Sequence, residues 1–327
     1  MAIDRIGELA ALGTAMCWTL TAVVFEWAGK RVGSLAVNLI RLVLAFFYLA
    51  VYSFLLRGQF VPLDAGANAW VWLSLSGLVG FVVGDLFLFQ AFVLVGSRIS
   101  MLVYSVVPPL TAVLGWLILG ERLSAIAILG MVLTISGIAV VVLQRSAEGT
   151  PRLDAVAARV PHSPPAGPSV VAAAQLQTGR AALAHPLKGI LYAFGGALGQ
   201  AGGLVLSKLG APTFDPFGAT QIRGIAGIVG FTLIFAATRR WREVATAVRH
   251  RPAMWRIAIG AFFGPFLGVS LGLLAAQRTT TGIASTIMSL VPVFIIVPAV
   301  VLFHERVTFR EILGAVVAVG GVALLFF

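Results

Sequence analysis

Charged residues are scarce in this chain. They make up 11% of its 327 residues, and only 12 residues are acidic. A soluble domain averages roughly 25% charged residues, so the composition excludes a water-soluble globular protein. The chain has one cysteine, Cys17, inside an apolar run, which excludes a disulfide framework and a cysteine-based metal site.

Motifs for several kinds of enzyme are also missing. No segment matches the P-loop pattern G-x-x-x-x-G-K-S/T, so ATP hydrolysis by that route is excluded. The acidic residues are scattered singly, whereas metal–phosphate chemistry generally needs clustered acids. We therefore expect no metal, no cofactor and no catalytic residues.

Positive charge exceeds negative charge, and the formal net charge is +11. The basic residues lie in short connections between apolar runs, so we read them as topology signals and expect no nucleic-acid partner. The odd-numbered connections carry most of the 23 Lys and Arg residues. The positive-inside rule places those connections in the cytoplasm and both termini outside.

Apolar sequence is what the chain has in abundance. Hydrophobic residues make up 59% of it, and the mean hydropathy is +1.01. Runs of about 20 apolar residues are long enough to cross a lipid bilayer. We predict an all-α polytopic membrane protein with ten transmembrane helices, near residues 6–28, 35–56, 69–95, 99–119, 125–143, 186–206, 216–237, 253–276, 283–303 and 309–327.

One stretch of the sequence occurs twice. Residues 80–143 align without a gap with residues 264–327, and 16 of the 64 paired positions are identical. Many matches are rare or structure-breaking residues, such as Gly80 with Gly264 and Ser105 with Ser289. A five-helix unit duplicated in tandem must insert in opposite senses, so we predict two inverted five-helix repeats.

The two repeats are predicted to span residues 1–143 and 186–327. The segment 144–185 between them is rich in Pro, Ala, Arg and Ser and has no apolar periodicity over most of its length. Such a segment does not bury a core, so we predict a largely disordered linker.

A Gly-Glu-Arg turn that follows a proline-broken span resembles a motif of the drug/metabolite transporter superfamily, EamA-type. The motif residues are Pro108, Glu121 and Arg122 in the first half, with Pro292, Glu305 and Arg306 in the second. The resemblance implies ten helices and alternating-access transport of a small metabolite, often export of amino acids or amphiphilic compounds. Its members are often drawn with both termini inside, which conflicts with the charge distribution.

Ionisable groups inside a membrane are costly and tend to be functional. Asp85 is the deepest acid, near the middle of the third span. It could bind a substrate ammonium, carry a proton, or pair with an arginine on a neighbouring helix. Arg41 and Arg223 occupy equivalent places in their repeats and could hold a substrate carboxylate or phosphate. A structural role is favoured for both, as snorkelling side chains or, for Arg41, as the partner of Glu26.

Other polar and helix-breaking residues extend the list of candidates. A polar cavity could be lined by glutamine and tyrosine side chains, whose alternative is interhelical contact worth about 0.6 kcal/mol each: Gln90, Tyr104, Gln200 and Gln221. Prolines are predicted to break helices and to allow gating at Pro108, Pro109, Pro292 and Pro298. For Glu121 and Glu305, turn structure is favoured over substrate contact.

An inverted repeat with broken helices places a binding cavity near the bilayer midplane, between the two halves. We expect the third, fourth, eighth and ninth helices to line it. Val269 stands where the first half has Asp85, so we expect the cavity to be chemically asymmetric.

The favoured function is secondary transport of an amino acid or amphiphilic compound across the plasma (bacterial inner) membrane, with proton-coupled export as one option. The alternatives are a membrane-embedded lipid-modifying enzyme, a passive channel and a lipid scramblase. The expected partners are a small-molecule substrate and the bilayer, with protons as one further option. The chain is expected to be a monomer or a homodimer.

Overall fold

A computed structural model describes residues 5–148, 168–294 and 308–326, and the regular structure in these ranges is helical. The first half contains α1 (Ile6–Val32), α2 (Ser34–Arg57), α3 (Ala67–Gly77), a π-helical segment (Leu78–Gly84), α4 (Asp85–Tyr104), α5 (Val107–Leu114), a second π-helical segment (Gly115–Leu119) and α6 (Ala125–Glu148). The second half contains α7 (Pro168–Gly210), α8 (Pro216–Thr238), α9 (Trp241–Arg249), α10 (Arg251–Ala261), a third π-helical segment (Phe262–Gly268), α11 (Val269–Arg278), α12 (Thr281–Met288), α13 (Val291–Phe294) and α14 (Phe309–Leu324).

Six of the helical stretches are long and apolar enough to cross a bilayer: Ile6–Val32, Ser34–Arg57, Ala67–Gly96, Leu187–Gly210, Pro216–Thr238 and Arg251–Arg278. Shorter apolar helices cover Val107–Leu119, Ala125–Val140 and Ile312–Leu324. The fold is therefore that of an all-helical, multi-pass membrane protein. The ninth predicted span, near 283–303, is described only to residue 294, so the count of ten remains a prediction.

Local sequence explains where several helices begin and end. Asp215 accepts a hydrogen bond from the backbone N–H of Gly218 at 2.7 Å, and Pro216 takes the first turn of α8, where its missing N–H costs nothing. Gly58 ends α2 with a φ of 69°, a left-handed conformation that favours glycine. Gly96 breaks α4 with a φ of 80°.

The duplication predicted from the sequence is present in the backbone. The π-helical segments Leu78–Gly84 and Phe262–Gly268 occupy equivalent positions of the two repeats. The turns that interrupt the regular helices at 105–106 and 289–290 are also equivalent. Short π-helical insertions occur frequently at functional sites, so these paired irregularities point to the region between them.

The two halves are interlocked by an exchange of their first helices. Helix α1 packs against α10, the third π-helical segment and α11 of the second half, and α7 packs against α3, the first π-helical segment and α4 of the first half. Helix α6 packs along α14, and α2 packs along α8. Each repeat thus buries its apolar faces mainly against the other.

Glycines allow the closest of these approaches. A Cβ atom on Gly199 would lie 2.4 Å from the Cα atom of Gly84, and one on Gly203 would lie 2.9 Å from the Cα atom of Gly80. At the equivalent crossing of the second half, Gly264 faces Thr21. Small residues at these crossings let the helix backbones approach closely.

Two features differ from the sequence prediction. Helix α7 begins at Pro168, so residues 168–185 of the predicted disordered linker are helical in this structure, while residues 149–167 lie outside the described ranges. The stretch 172–184 is rich in Ala, Gln and Leu, which favour helix. Helix α9 was not predicted, because its nine residues include three charged side chains and are too few to span a bilayer.

Candidate functional site

A cavity of about 80 Å³ lies between the two halves. Its wall is formed by residues of α1, α2, the first π-helical segment, α4 and α5, together with α7, the third π-helical segment, α11, α12 and α13. One water needs roughly 10–15 Å³ on the same measure, so the cavity has room for several waters or for part of a small molecule.

The wall follows the internal repeat. Seven pairs of equivalent positions contribute one residue from each half: Ala22/Gln200, Phe81/Pro265, Asp85/Val269, Met101/Ser285, Tyr104/Met288, Ser105/Ser289 and Val107/Val291. A cavity lined by equivalent positions lies on the axis that relates the repeats. Most pairs differ in chemistry, so the two sides of the cavity are unlike, as expected from the sequence.

Aromatic and sulfur-containing side chains dominate the apolar part of the wall. Trp18, Phe25, Phe89, Phe92 and Met101 all line the cavity. Sequence reasoning did not single out any of these residues, because aromatic residues in an apolar span look the same whether they face lipid or a cavity. Their position favours a ligand with an apolar portion.

The strongest polar feature of the wall is an ion pair between Arg41 and Asp85. The Arg41 guanidinium donates to Oδ2 of Asp85, and its Nε donates to Oδ1 of Asn38 at 3.0 Å. The Asn38 side chain in turn donates to the backbone oxygen of Asp85 at 3.3 Å. Pairing with an arginine on a neighbouring helix was one of the roles considered for Asp85, and the structure contains this ion pair. Glu26 bonds Lys30 at 2.5 Å instead of Arg41.

Aromatic rings surround the Arg41 guanidinium. Its Cζ atom lies 4.7 Å from the ring centroid of Phe89, 5.7 Å from that of Phe25 and 5.9 Å from that of Phe81. Rings at such distances attract a cation through their quadrupoles. Arg41 is therefore held by an acid, an amide and three aromatic side chains.

Arg223 is the counterpart of Arg41 but has different surroundings. Its relative exposure is 3%, and its Cζ atom lies 4.7 Å from the ring centroid of Phe81. Its Nε atom has no hydrogen-bond partner among the described residues. The position equivalent to Asn38 is Thr220, whose hydroxyl donates to the backbone oxygen of Pro216 at 2.8 Å. The position equivalent to Asp85 is Val269, so Arg223 has no matching acid.

The predicted break in the fourth span lies at the cavity. A turn at residues 105–106 interrupts the regular helix, and Pro108 and Pro109 lie in the first turn of α5. Because proline has no backbone N–H, the carbonyl of Tyr104 lacks its usual helical donor at Pro108. Tyr104 lines the cavity, and a carbonyl freed at this depth must be satisfied by a neighbour, a ligand or water.

The equivalent break in the second half is only partly described. Pro292 lies in α13, directly after the break at 289–290, and Ser289 lines the cavity. Pro298 lies outside the described residues.

The four polar cavity candidates separate into two groups. Tyr104 and Gln200 line the cavity with Arg41 and Asp85. Gln90 accepts a hydrogen bond from the Ser34 hydroxyl at 2.9 Å, and Gln221 donates to the backbone oxygen of Phe60 at 2.7 Å. Gln90 and Gln221 are not among the described residues of the wall, and neither is Arg223, which lies behind Phe81.

Glu121 of the repeated turn ties the two halves together. Its Oε2 atom accepts from the backbone N–H of Thr281 at 2.9 Å and from the Thr281 hydroxyl at 2.7 Å. Its Oε1 atom lies 2.7 Å from Nζ of Lys208. Glu121 thus caps α12 and pairs with α7. Arg122 is exposed, whereas Glu305 and Arg306 lie outside the described residues.

Comparison with known protein families identifies the family of the chain. The model of the EamA-like transporter family matches residues 5–143 and 187–327. The chain belongs to the EamA-like transporter family. Members of this family are transporters of the drug/metabolite type, so this EamA-like protein is a multi-pass membrane transporter with a small-molecule substrate.

A solved crystal structure is among those that share the fold of this EamA-like chain. Its TM-score is 0.66 at 16% sequence identity, over 97% of this chain and 94% of the other. At that identity the likeness shows the fold alone. No curated protein matches the chain.

Proposed function

We propose that this chain is a secondary transporter that moves a small amphiphilic metabolite by alternating access, as an exporter in a bacterial plasma membrane. The observation that carries the proposal is the cavity on the repeat axis, with equivalent wall positions from both halves. In inverted-repeat transporters, a site between the repeats is opened to each side by movement of one half against the other. Ten transmembrane helices in two inverted repeats are part of the same proposal.

A contact between the two halves at one end of the protein is the proposed point of closure in alternating access. At one end, Lys208 and Thr281 of the second half meet Glu121 of the first half. The counterpart of Lys208 is Lys30, whose side chain is 50% exposed and pairs with Glu26 on its own helix. We infer that the Glu121 cluster holds its end closed and must separate when that end opens.

Transport should be measured with the purified full chain in proteoliposomes, over a panel of amino acids, amines and organic anions. We expect saturable, gradient-dependent flux for at least one compound with an apolar portion. Repeating the assay with and without a pH gradient tests coupling to protons, and Asp85 in the cavity wall is the proposed proton carrier. Flux that does not saturate would indicate a channel, and lipid exchange between leaflets would indicate a scramblase.

A matched pair of variants links the flux to the cavity. Ser289→Trp introduces a bulky ring on the repeat axis and should abolish saturable flux. Val316→Trp introduces the same ring on α14 at a position that is 62% exposed and should leave flux unchanged. Equal flux in both variants would contradict the proposal that the substrate passes through this cavity.

A further inference from the structure

We infer that the cavity takes a ligand carrying a carboxylate, and that Arg223 neutralises this group. The inference rests on the proposed transport function and names the chemical class of its substrate. Arg41 is not expected to bind the ligand carboxylate, because its charge is already matched by Asp85.

The inference starts from a charge imbalance. Arg41 and Arg223 are the two most deeply buried charged residues in the described ranges, with relative exposures of 4% and 3%. Asp85 is the acid next to them and pairs with Arg41. An arginine side chain does not give up its proton in a protein, so the imbalance cannot be removed by ionisation. A buried charge without a counter-charge is unfavourable, and an anionic ligand would supply the missing charge.

The repeat shows why Arg223 rather than Arg41 is available. Both residues hold equivalent positions, but the first half supplies Asn38 and Asp85, whereas the second supplies Thr220 and Val269. The Thr220 hydroxyl is engaged with its own helix. The buried Nε atom of Arg223 has no partner in the described ranges. The second half therefore has the arginine, but it has no acid at the position equivalent to Asp85.

The location of Arg223 places this charge at the edge of the cavity. Its Cζ atom is 4.7 Å from the ring centroid of Phe81, and Phe81 is part of the wall. Its terminal nitrogen lies beside Gly80, where a Cβ atom would come within 3.2 Å of it and 3.8 Å of the Gly199 oxygen. Gln200, next in sequence to Gly199, also lines the wall. A carboxylate at the Phe81–Gln200 edge of the cavity would lie one aromatic ring away from the guanidinium.

The remainder of the wall defines the rest of the ligand. Trp18, Phe89, Phe92 and Met288 present apolar surface to the cavity. An amine without a carboxylate fits less well, because the Asp85 carboxylate is already bonded to Arg41. The expected substrate class is therefore an amphiphilic carboxylate with an aromatic or aliphatic body.

Binding can be tested separately from transport with three probes of similar shape: phenylacetate, its neutral amide phenylacetamide, and the cation phenethylamine. Each is titrated against the purified full chain while the unfolding temperature is measured, because a ligand that binds only the native state raises it. We expect phenylacetate to stabilise the protein and the other two to have little effect. Equal stabilisation by the amide, or none by phenylacetate, would overturn the inference.

Variants assign the effect to Arg223. Arg223→Gln should weaken phenylacetate binding by roughly tenfold or more, because it removes the positive charge that attracts the carboxylate across the Phe81 ring in a water-poor site. Arg223→Lys keeps the charge and should keep the preference for the carboxylate. Arg242→Gln removes an exposed positive charge from α9 and should bind like the wild type. Unchanged binding in Arg223→Gln would refute the assignment.

A further variant covers the case in which Arg223→Gln does not fold. Val269→Asp places an acid at the counterpart of Asp85 and should fold but lose the response to phenylacetate. A wild-type response in this variant would contradict the inference. Sodium chloride is titrated alone as a second arm, and saturation by chloride with no added effect of phenylacetate would assign the site to an inorganic ion instead.

The outcomes keep the two proposals apart. Flux of carboxylates that is insensitive to Arg223→Gln would leave the transport proposal standing and remove the anion site. Binding of phenylacetate through Arg223 without flux of any compound would support the anion site and contradict the transport proposal.

Discussion

Removing Asp85 should destabilise the protein, because it leaves Arg41 as a buried charge without its carboxylate. The side chains of Arg41 and Asp85 are 5% and 14% exposed. Breaking a buried pair by removing one partner typically costs about 3–5 kcal/mol. Arg41 would keep its bond to Asn38 and its aromatic contacts, which are worth about 0.5–2 kcal/mol each. We therefore expect Asp85→Leu to lower the free energy of unfolding by about 3 kcal/mol, near the lower end of that range.

Two further variants refine this estimate. Asp85→Asn retains an oxygen acceptor for the guanidinium, so its cost should be smaller, about 1–2 kcal/mol. The double variant Arg41→Met with Asp85→Leu removes both charges, and apolar replacement of a buried ion pair is often close to neutral. Asn38 would then lose the donor to its Oδ1 atom, at a cost of about 1 kcal/mol. The double variant should therefore be more stable than Asp85→Leu alone.

The assay is reversible unfolding in mixed micelles with increasing SDS, followed by tryptophan fluorescence. The double-mutant cycle isolates the pairwise interaction between the two side chains. Additive costs in the double variant, or a loss below about 1 kcal/mol in Asp85→Leu, would refute a stabilising buried pair.

The same substitution tests the proposed proton role of Asp85. Asp85→Asn cannot ionise, so it should strongly reduce any flux driven by a pH gradient while the protein remains folded. Unchanged transport and unchanged pH dependence would remove Asp85 from proton coupling and leave it a structural residue.

Two other contacts between the halves give testable predictions. Glu121→Gln removes the charge that pairs with Lys208 and should speed hydrogen exchange at the start of α12, whereas Lys30→Gln should leave it unchanged. Mass spectrometry of peptides covering Thr281 measures this, and unaltered exchange would mean that the cluster does not hold its end closed. Gly199→Ala places a Cβ atom 2.4 Å from the Gly84 backbone and should cost about 1–3 kcal/mol in the same SDS assay. Gly224→Ala, with nothing within 4 Å, should cost nothing, and equal effects would contradict the close crossing.

The two-repeat architecture could be predicted from the sequence, because residues that constrain the backbone recur at equivalent positions of both halves. Gly80 with Gly264 and Pro108 with Pro292 show the duplication directly, and the prediction of five spans per unit leads to the prediction of inverted repeats. The pairing of Asp85 with a neighbouring arginine was one of the readings available. A buried charge in a membrane has few ways of being satisfied, so such residues are informative even in isolation.

The finer structure was not readable from the sequence, for a physical reason. Gln90 and Gln221 are polar residues in apolar spans, and only the packing of α2 and of the Phe60 loop shows that their partners lie away from the cavity. The aromatic wall and the π-helical segments depend equally on how helices pack. In a chain that is 59% hydrophobic, apolarity cannot tell a residue facing lipid from one facing a cavity.

The exchange of first helices has a consequence for biogenesis. Helix α1 emerges from the ribosome before its partners α10 and α11, which follow more than 200 residues later. At 5–20 residues per second, α1 waits roughly 10–50 s before they are made. During that time the Thr14 hydroxyl lacks the Gly268 carbonyl to which it finally donates at 3.1 Å. The first repeat therefore inserts as an unfinished unit, and its final packing is delayed until the second repeat has entered the bilayer.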